Sequence, residues 1–215
     1  MVKFITAKEV PALIRDGDTL YTTGMMMAGL AEQALLEMEQ SFLATGHPRD
    51  LTFYTPVGQG NFKDKGMAHF AHEGMTRRVV AAHYGVGGPR LAELVRNEQV
   101  EAYNWPQGVL AVMPRHVAGR RGGVFTKVGL GTFVDPRLEG GKINRRAQED
   151  LVEVRELDGE EFLYFKPPRV NVALIRGTTA DEHGNITLSR EGVLTDALTI
   201  AQAARACGGI VIAQV

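Results

Sequence analysis

LYTTGMMMAGLAEQALLEM, residues 20–38, is the stretch from which the fold is read. Apolar and β-favouring residues from Leu20 to Thr22 run into Gly24, three consecutive methionines, Met25 to Met27, and a second loop glycine, Gly29. Leu30, Ala34, Met38 and then Phe42 recur every fourth residue, the spacing of one helical face. A strand, a glycine-bounded loop and a helix in that order open a βα unit. Upstream, Thr6 and Glu9 have capping-box spacing, so residues 6–14 read as a short helix kinked at Pro11.

The alternation continues. LTFYTPVG (51–58) reads as a strand, TRRVVAAHYG (76–85) as a strand before the helical PRLAELVRN (89–97), and VEAYNWPQG (100–108) as a strand before VLAVMPRHVAG (109–119). Strands alternating with helices imply a parallel sheet covered on both faces. The style changes at LVEVRELDGEEFLYF (151–165), two alternating runs about Asp158-Gly159, which is a strong hairpin signal. VNVALIRG (170–177) resumes the buried-strand pattern, ADEHGNITLS (180–189) reads as another hairpin turn, and residues 194–207 as a final amphipathic helix. Residues 210–213 read as a fully buried strand with no helix after it. The expected fold is an α/β open, mostly parallel sheet with helices on both faces and an antiparallel hairpin insertion near 151–165.

The 215 residues, 44% of them hydrophobic, suffice for one sizeable core. With 24 Lys plus Arg against 25 Asp plus Glu, and no long run of either sign, neither nucleic acid nor an anionic membrane is an expected partner. A single cysteine, Cys207, excludes an intrachain disulfide framework, and with no apolar run of spanning length a cytoplasmic protein is expected. The six histidines include one close pair, His69 and His72, with no cysteine at ligand spacing, so no metal site is expected. Neither serine, Ser41 or Ser189, lies in a GxSxG elbow. The 24–29 loop has the wrong spacing for a dinucleotide fingerprint, though backbone amides at a helix entrance suit an anion or a developing oxyanion.

Three glycine-rich segments fall where active sites of α/β sheets sit, beyond the C-terminal ends of strands: the 24–29 loop, NWPQG (104–108) and TKVGLGTFVDP (126–136). In the second, Pro106 stiffens the turn, Gly108 permits close backbone approach, and Gln107 presents a neutral amide suited to a carboxylate or thioester carbonyl. Alternatively, Gln107 caps the helix starting near Val109. Met25 to Met27 have two readings as well, an adaptable pocket wall or plugs in irregular core space.

DGDTLYTTGMMMAGLAE (16–32) resembles the first signature of class I CoA-transferases, with Asp16, Gly17, Gly24 and Gly29 matching. EAYNWPQGVLAVMPRHVAGRRGG (101–123), TKVGLGTFVDPRLEGGKIN (126–144) and VALIRGTTADEHGNITLSREG (172–192) are similar to the acetate and propionate CoA-transferase branch, and the resemblance covers almost the whole chain. Thr23-Gly24-Met25 replaces the family's Gly-Gly-Phe, and Ala31 stands where the family has proline. The resemblance implies transfer of CoA between a short-chain acyl-CoA and a carboxylic acid through a glutamyl-CoA thioester, a covalent route that divides one difficult exchange into easier steps. It implies no cofactor, coenzyme A being a substrate.

By the same resemblance, residues 1–215 form the α-type half of a longer enzyme, the nucleophilic glutamate lies in a β-type half or subunit, and the assembly is a homo- or hetero-oligomer. Glu191-Gly192 looks like the glutamate motif but falls in the segment assigned to the first half. Gln107 becomes the oxyanion-stabilising group, Gly24, Met25, Met26, Gly29 and Gly108 line the substrate site, and Gly129 and Gly131 keep side chains out of the substrate channel. A tight turn needing positive φ accounts equally for the last two. Sugar-phosphate isomerases and effector-binding domains of transcription regulators share the architecture. The former should show a phosphate loop with an in-chain acid or base, the latter a basic helix-turn-helix.

Overall fold

The computed structural model describes residues 2–215. Its N-terminal segment is two single 3-10 turns, Ala7–Glu9 and Pro11–Leu13, rather than one kinked helix. The capping box forms, with the Thr6 amide and hydroxyl both donating to Glu9 Oε2 at 2.9 and 3.1 Å. Pro11 has no amide with which to continue the ladder, so the backbone restarts there.

The chain then runs through β1 (Thr19–Thr22), α1 (Glu32–Thr45), β2 (Leu51–Thr55), β3 (Thr76–Ala81), α2 (Gly88–Arg96), β4 (Glu101–Asn104) and α3 (Gln107–Ala118). After an excursion through β5 (Val124–Thr126), β6 (Val152–Leu157) and β7 (Glu160–Phe165) it returns as β8 (Val172–Arg176). A two-stranded hairpin, β9 (Thr179–Ala180) and β10 (Ile186–Thr187), precedes α4 (Ala197–Ala206) and β11 (Ile210–Gln214). The main sheet has the order β11-β8-β1-β2-β3-β4 with every pair parallel. From β1 the chain steps outward to β4 on one side, then comes back to β8 on the other side of β1. That reversal makes the edge between β1 and β8 a topological switch point, where α/β sheets open a crevice beyond their strand ends.

The two-residue strand period decides which core each side chain joins. Leu20, Phe53 and Val79 face a core shared with Leu35 and Met38 of α1 and Leu91 of α2. Tyr21, Tyr54 and Val80 face the opposite core, with Leu110 and Met113 of α3 and Ile200 of α4. Helices thus cover both faces, as the alternation predicts.

The hairpin at 158–159 forms with both turn residues at positive φ, +51° for Asp158 and +78° for Gly159, the backbone of a primed two-residue turn. It belongs to a three-stranded sheet, β5-β7-β6, whose Phe165 ring packs edge-on against Trp105 at 5.0 Å between centroids. The third glycine-rich segment follows β5 of this small sheet rather than a strand of the main one. From there the chain returns to cover the free edge of β4, with Asn104 N donating to Gly141 O at 2.8 Å and Ile143 N to Ala102 O at 2.9 Å. At the opposite edge β11 pairs with β8 alone. It is not a fully buried strand: Ile212 is buried, whereas Ile210, which points to the same face, is exposed at the strand's first position.

Candidate active site at the switch point

Beyond β1 and β2 lies a cavity of about 320 Å³. Its floor is Thr22 and Thr23, one wall is Gly24, Met25, Pro56 and Val57, and the facing wall is Val193 to Asp196 with Ile200. The methionine loop reaches this position through pairing with a distant segment. Met25 and Ala28 exchange backbone hydrogen bonds of 2.9 Å, while Met26 N donates to Gly58 O and Gly60 N to Met26 O, each at 2.9 Å. Gly29 packs against the facing wall, since a Cβ there would lie 3.3 Å from Val193 Cγ2.

Two expectations for this loop are corrected. Met25, Met26 and Met27 are 44%, 41% and 40% exposed, so they do not plug the core; Met25 lines the cavity and the other two face outward beside it. The amides of Met25, Met26 and Ala28, three of the six in the 24–29 loop, are consumed by the pairing just described, which removes half of the anion-binding capacity that the helix entrance suggested. The pairing itself is stiff. Gln59, fully buried, accepts from the Thr22 hydroxyl at 2.9 Å and donates to Thr22 O at 3.3 Å. Sequence reading missed Gln59, which follows Gly58 in what looks like an ordinary turn.

The facing wall is latched to β8. Arg176 Nε lies 3.3 Å from Glu191 Oε1, which also accepts from the Thr178 hydroxyl at 3.3 Å. Glu191 is therefore engaged in an ion pair. Thr23 joins the two walls, its hydroxyl donating to Gly29 O at 3.0 Å and accepting from Arg176 N at 3.2 Å. Asp196 stands at the N-terminus of α4 yet neither caps the helix nor makes a side-chain hydrogen bond among the described residues. Burial raises its carboxyl pKa, and the nearby Arg115 charge opposes that rise.

The other sequence candidates lie outside the cavity lining. Gln107 is the first residue of α3, with Pro106 in the N-cap position, and its exposed side chain makes no hydrogen bond among the described residues. The capping alternative is thus corrected: the helix starts two residues earlier than expected, leaving the amide free. Gly108 is exposed, and a Cβ there would meet nothing within 4 Å, so this chain alone does not require glycine at that position. Tyr21 Oη donates to Leu110 O at 2.5 Å and ties the start of α3 to β1.

Gly129 and Gly131 both adopt positive φ, +102° and +69°, in a loop above the antiparallel sheet, where a Cβ on Gly129 would come within 3.0 Å of Leu163. Buried Asp135 orders that loop by accepting from Gly131 N at 2.9 Å and Arg137 N at 3.0 Å. His69 and His72 belong to a charge network behind α1. His69 bridges Glu39 at 2.6 Å and Glu32 at 2.9 Å, while His72 and Arg90 reach the other oxygen of Glu39 at 2.6 and 2.9 Å. Glu32 also accepts from Gly66 N at 3.0 Å, anchoring the segment that pairs with the methionine loop. Among the described residues no helix is long and apolar enough to cross a membrane.

The family model described as coenzyme A transferase matches residues 4–215. The chain belongs to this family. The chain is 47% identical over 215 residues to a caffeate CoA-transferase of Acetobacterium woodii, covering 100% of the chain and 41% of that protein. It is 29% identical over 185 residues to the alpha subunit of acetate CoA-transferase of Escherichia coli strain K12, covering 86% of the chain and 74% of the subunit. The crystal structure of the acyl-CoA transferase YdiF apoenzyme from Escherichia coli O157:H7 superposes with a TM-score of 0.94 at 37% identity, over 98% of this chain and 41% of that one. The chain is therefore an α-type half of the class I family, and it spans about two fifths of the length of the relatives it matches over its whole extent. Family membership gives no support to the sugar-phosphate isomerase or effector-domain readings.

Proposed function

We propose that residues 1–215 are the N-terminal, α-type domain of an enzyme that moves CoA between a short-chain acyl-CoA and a carboxylic acid acceptor. The observation that carries this reading is the family match over residues 4–215, with a cavity at the switch point of the sheet as the place for the acyl group. A glutamate carboxylate outside these residues attacks the thioester carbon, and the C–S bond breaks to release CoA thiolate and leave an acyl-glutamyl anhydride. The thiolate then attacks the glutamyl carbonyl, expelling the first carboxylate and leaving a glutamyl-CoA thioester, and the acceptor acid repeats both steps in reverse. The engagement of Glu191 by Arg176 and Thr178 supports a nucleophile elsewhere. Within this domain the free Gln107 amide supplies a hydrogen bond to the thioester oxygen as negative charge builds on it. A β-type half or subunit and an oligomeric assembly complete the site.

The test is exchange of labelled acetate into acetyl-CoA by the complete enzyme, followed by peptide mapping of the CoA-bound intermediate. Exchange is expected, with CoA carried on a glutamate outside residues 1–215. Absence of exchange with any acyl-CoA, or CoA carried on Glu191 or Asp196, overturns the reading.

A further inference from the structure

The polar groups lining the cavity are unequally occupied. Both threonine hydroxyls of the floor are committed within the protein, Thr22 to Gln59 and Thr23 to Gly29 and Arg176. Asp196 is not. An aspartate at a helix N-cap ordinarily accepts from the amides of its own first turn, but this one makes no such bond and lines the cavity instead. Around it the walls are apolar, with Val57, Val193, Leu194, Met25 and Ile200. A half-buried carboxylate with no donor opposite it is costly unless something supplies one. Water can do so in the free enzyme, but a ligand filling the cavity must replace it.

Resting on the acyl-transfer reading above, we infer that Asp196 is a specificity-determining residue: it selects acyl groups that are apolar along their length and carry a neutral hydroxyl at the end remote from the thioester, and it rejects dicarboxylic acids. A hydroxyl donates to the carboxylate, making a charge-assisted hydrogen bond. A second carboxylate on the substrate would instead face a like charge, which is unfavourable where the surrounding walls are apolar. The volume, about 320 Å³, lies at the lower end of the range for small-molecule pockets and accommodates a ring or a short chain rather than a long acyl tail. Arg115, whose charge acts on Asp196, is absent from the lining, so the carboxylate is the charged group that this domain presents in the cavity.

The complete enzyme and its Asp196→Asn variant are compared with matched acceptor pairs, butyrate against 4-hydroxybutyrate and 3-phenylpropanoate against 3-(4-hydroxyphenyl)propanoate, together with succinate. The readout is the ratio of kcat/KM values within each preparation, which cancels differences in folded fraction. The wild type is expected to prefer the hydroxylated member, and Asp196→Asn, which keeps a neutral acceptor oxygen, to reduce that preference roughly three- to tenfold, the difference between a hydrogen bond to a charged group and one to a neutral group. Use of succinate relative to butyrate should rise in the same variant. A purely structural role would not move these two ratios in opposite directions. Ratios that stay constant, or loss of transfer to every acid alike in a folded Asp196→Asn enzyme, overturn the inference. Should the complete enzyme transfer CoA to no acid, the acyl-transfer reading fails by itself, and equilibrium binding of the same acids to wild type and variant by calorimetry still decides the role of Asp196: equal affinities of wild type and variant for each member of a pair reject it.

Discussion

Replacement of Asp135 offers the most direct check on how the 129–141 loop is held. Its side chain is 1% exposed and each carboxylate oxygen serves a different part of the loop. Oδ2 accepts from Gly131 N at 2.9 Å and Oδ1 from Arg137 N at 3.0 Å, with the Arg137 guanidinium closing over both. The guanidinium is half-exposed, so solvent screening leaves it a minor share of the stabilisation. Asp135→Ala strands two loop amides, at about 1–1.5 kcal/mol each, for a total of about 2–3 kcal/mol. Asp135→Asn keeps one oxygen and loses the partner of one amide, so about half of that cost is expected. The pH dependence follows from the same contacts. Hydrogen bonds from Arg137 hold the carboxyl well below its usual range despite burial, so the folded state binds its proton later than the unfolded chain does. The stabilisation is therefore complete above the ordinary carboxyl pKa of 3.8 and is lost as pH falls below it. Urea unfolding of the three proteins at pH 7, with amide exchange at Gly131, measures the effect. An alanine variant within 0.5 kcal/mol of wild type, the range of an ordinary surface substitution, or unchanged exchange at Gly131, would refute the reasoning.

Three further outcomes are expected. Gln107→Ala should lower the turnover of the complete enzyme by roughly a hundredfold, as loss of one oxyanion donor does, while the melting temperature stays put because the side chain is exposed and unbonded; normal turnover rejects the role. Gly60→Ala should destabilise by more than about 2 kcal/mol, since its φ is +141° and a Cβ would collide with Val86 O and lie 2.6 Å from Lys65 O; an unchanged urea midpoint counts against the described pairing of the methionine loop. In the Glu32–His69–Glu39 network, burial depresses the His69 pKa but the two carboxylates more than reverse this, and the same bonds lower both glutamates against their own burial. Its stabilisation should fade as pH rises above the ordinary histidine value of 6.5 and as it falls below the glutamate value of 4.5; in His69→Gln the alkaline decline should vanish, which melting curves from pH 5 to 9 test.

What could be read before folding, and what could not, divides along the range of the interactions involved. The parallel sheet and its helices were legible because their signals are local: every fourth residue from Leu30 to Phe42, and paired strand residues such as Leu20-Tyr21 and Phe53-Tyr54 that part to opposite cores. The hairpin at 158–159 was legible for the same reason. Errors arose where a distant partner decides. TKVGLGTFVDP has the composition of a loop after a strand, but only the pairing of β5 with β7 reveals which sheet that strand joins. Residues 210–213 have the apolar run of a central strand, and only the order of the sheet puts them at an edge.

The site follows the same division. Gly24 and Gly29 mark the methionine loop, yet amides of Met25, Met26 and Ala28 are claimed by Gly58 and the loop's own turn, and only Met25 of the three methionines lines the cavity. Nothing in a run of three methionines encodes that. Asp196 is the sharper case: the amphipathic reading of residues 194–207 puts it inside a helix, whereas α4 starts at Ala197 and leaves Asp196 in the N-cap position, without a capping bond and lining the cavity. Ordinary local chemistry thus conceals the side chain best placed to choose the substrate. Its free carboxylate arises from two long-range facts: β8 lies beside β1, and the segment leaving β8 must cross the mouth of that strand before α4 can begin.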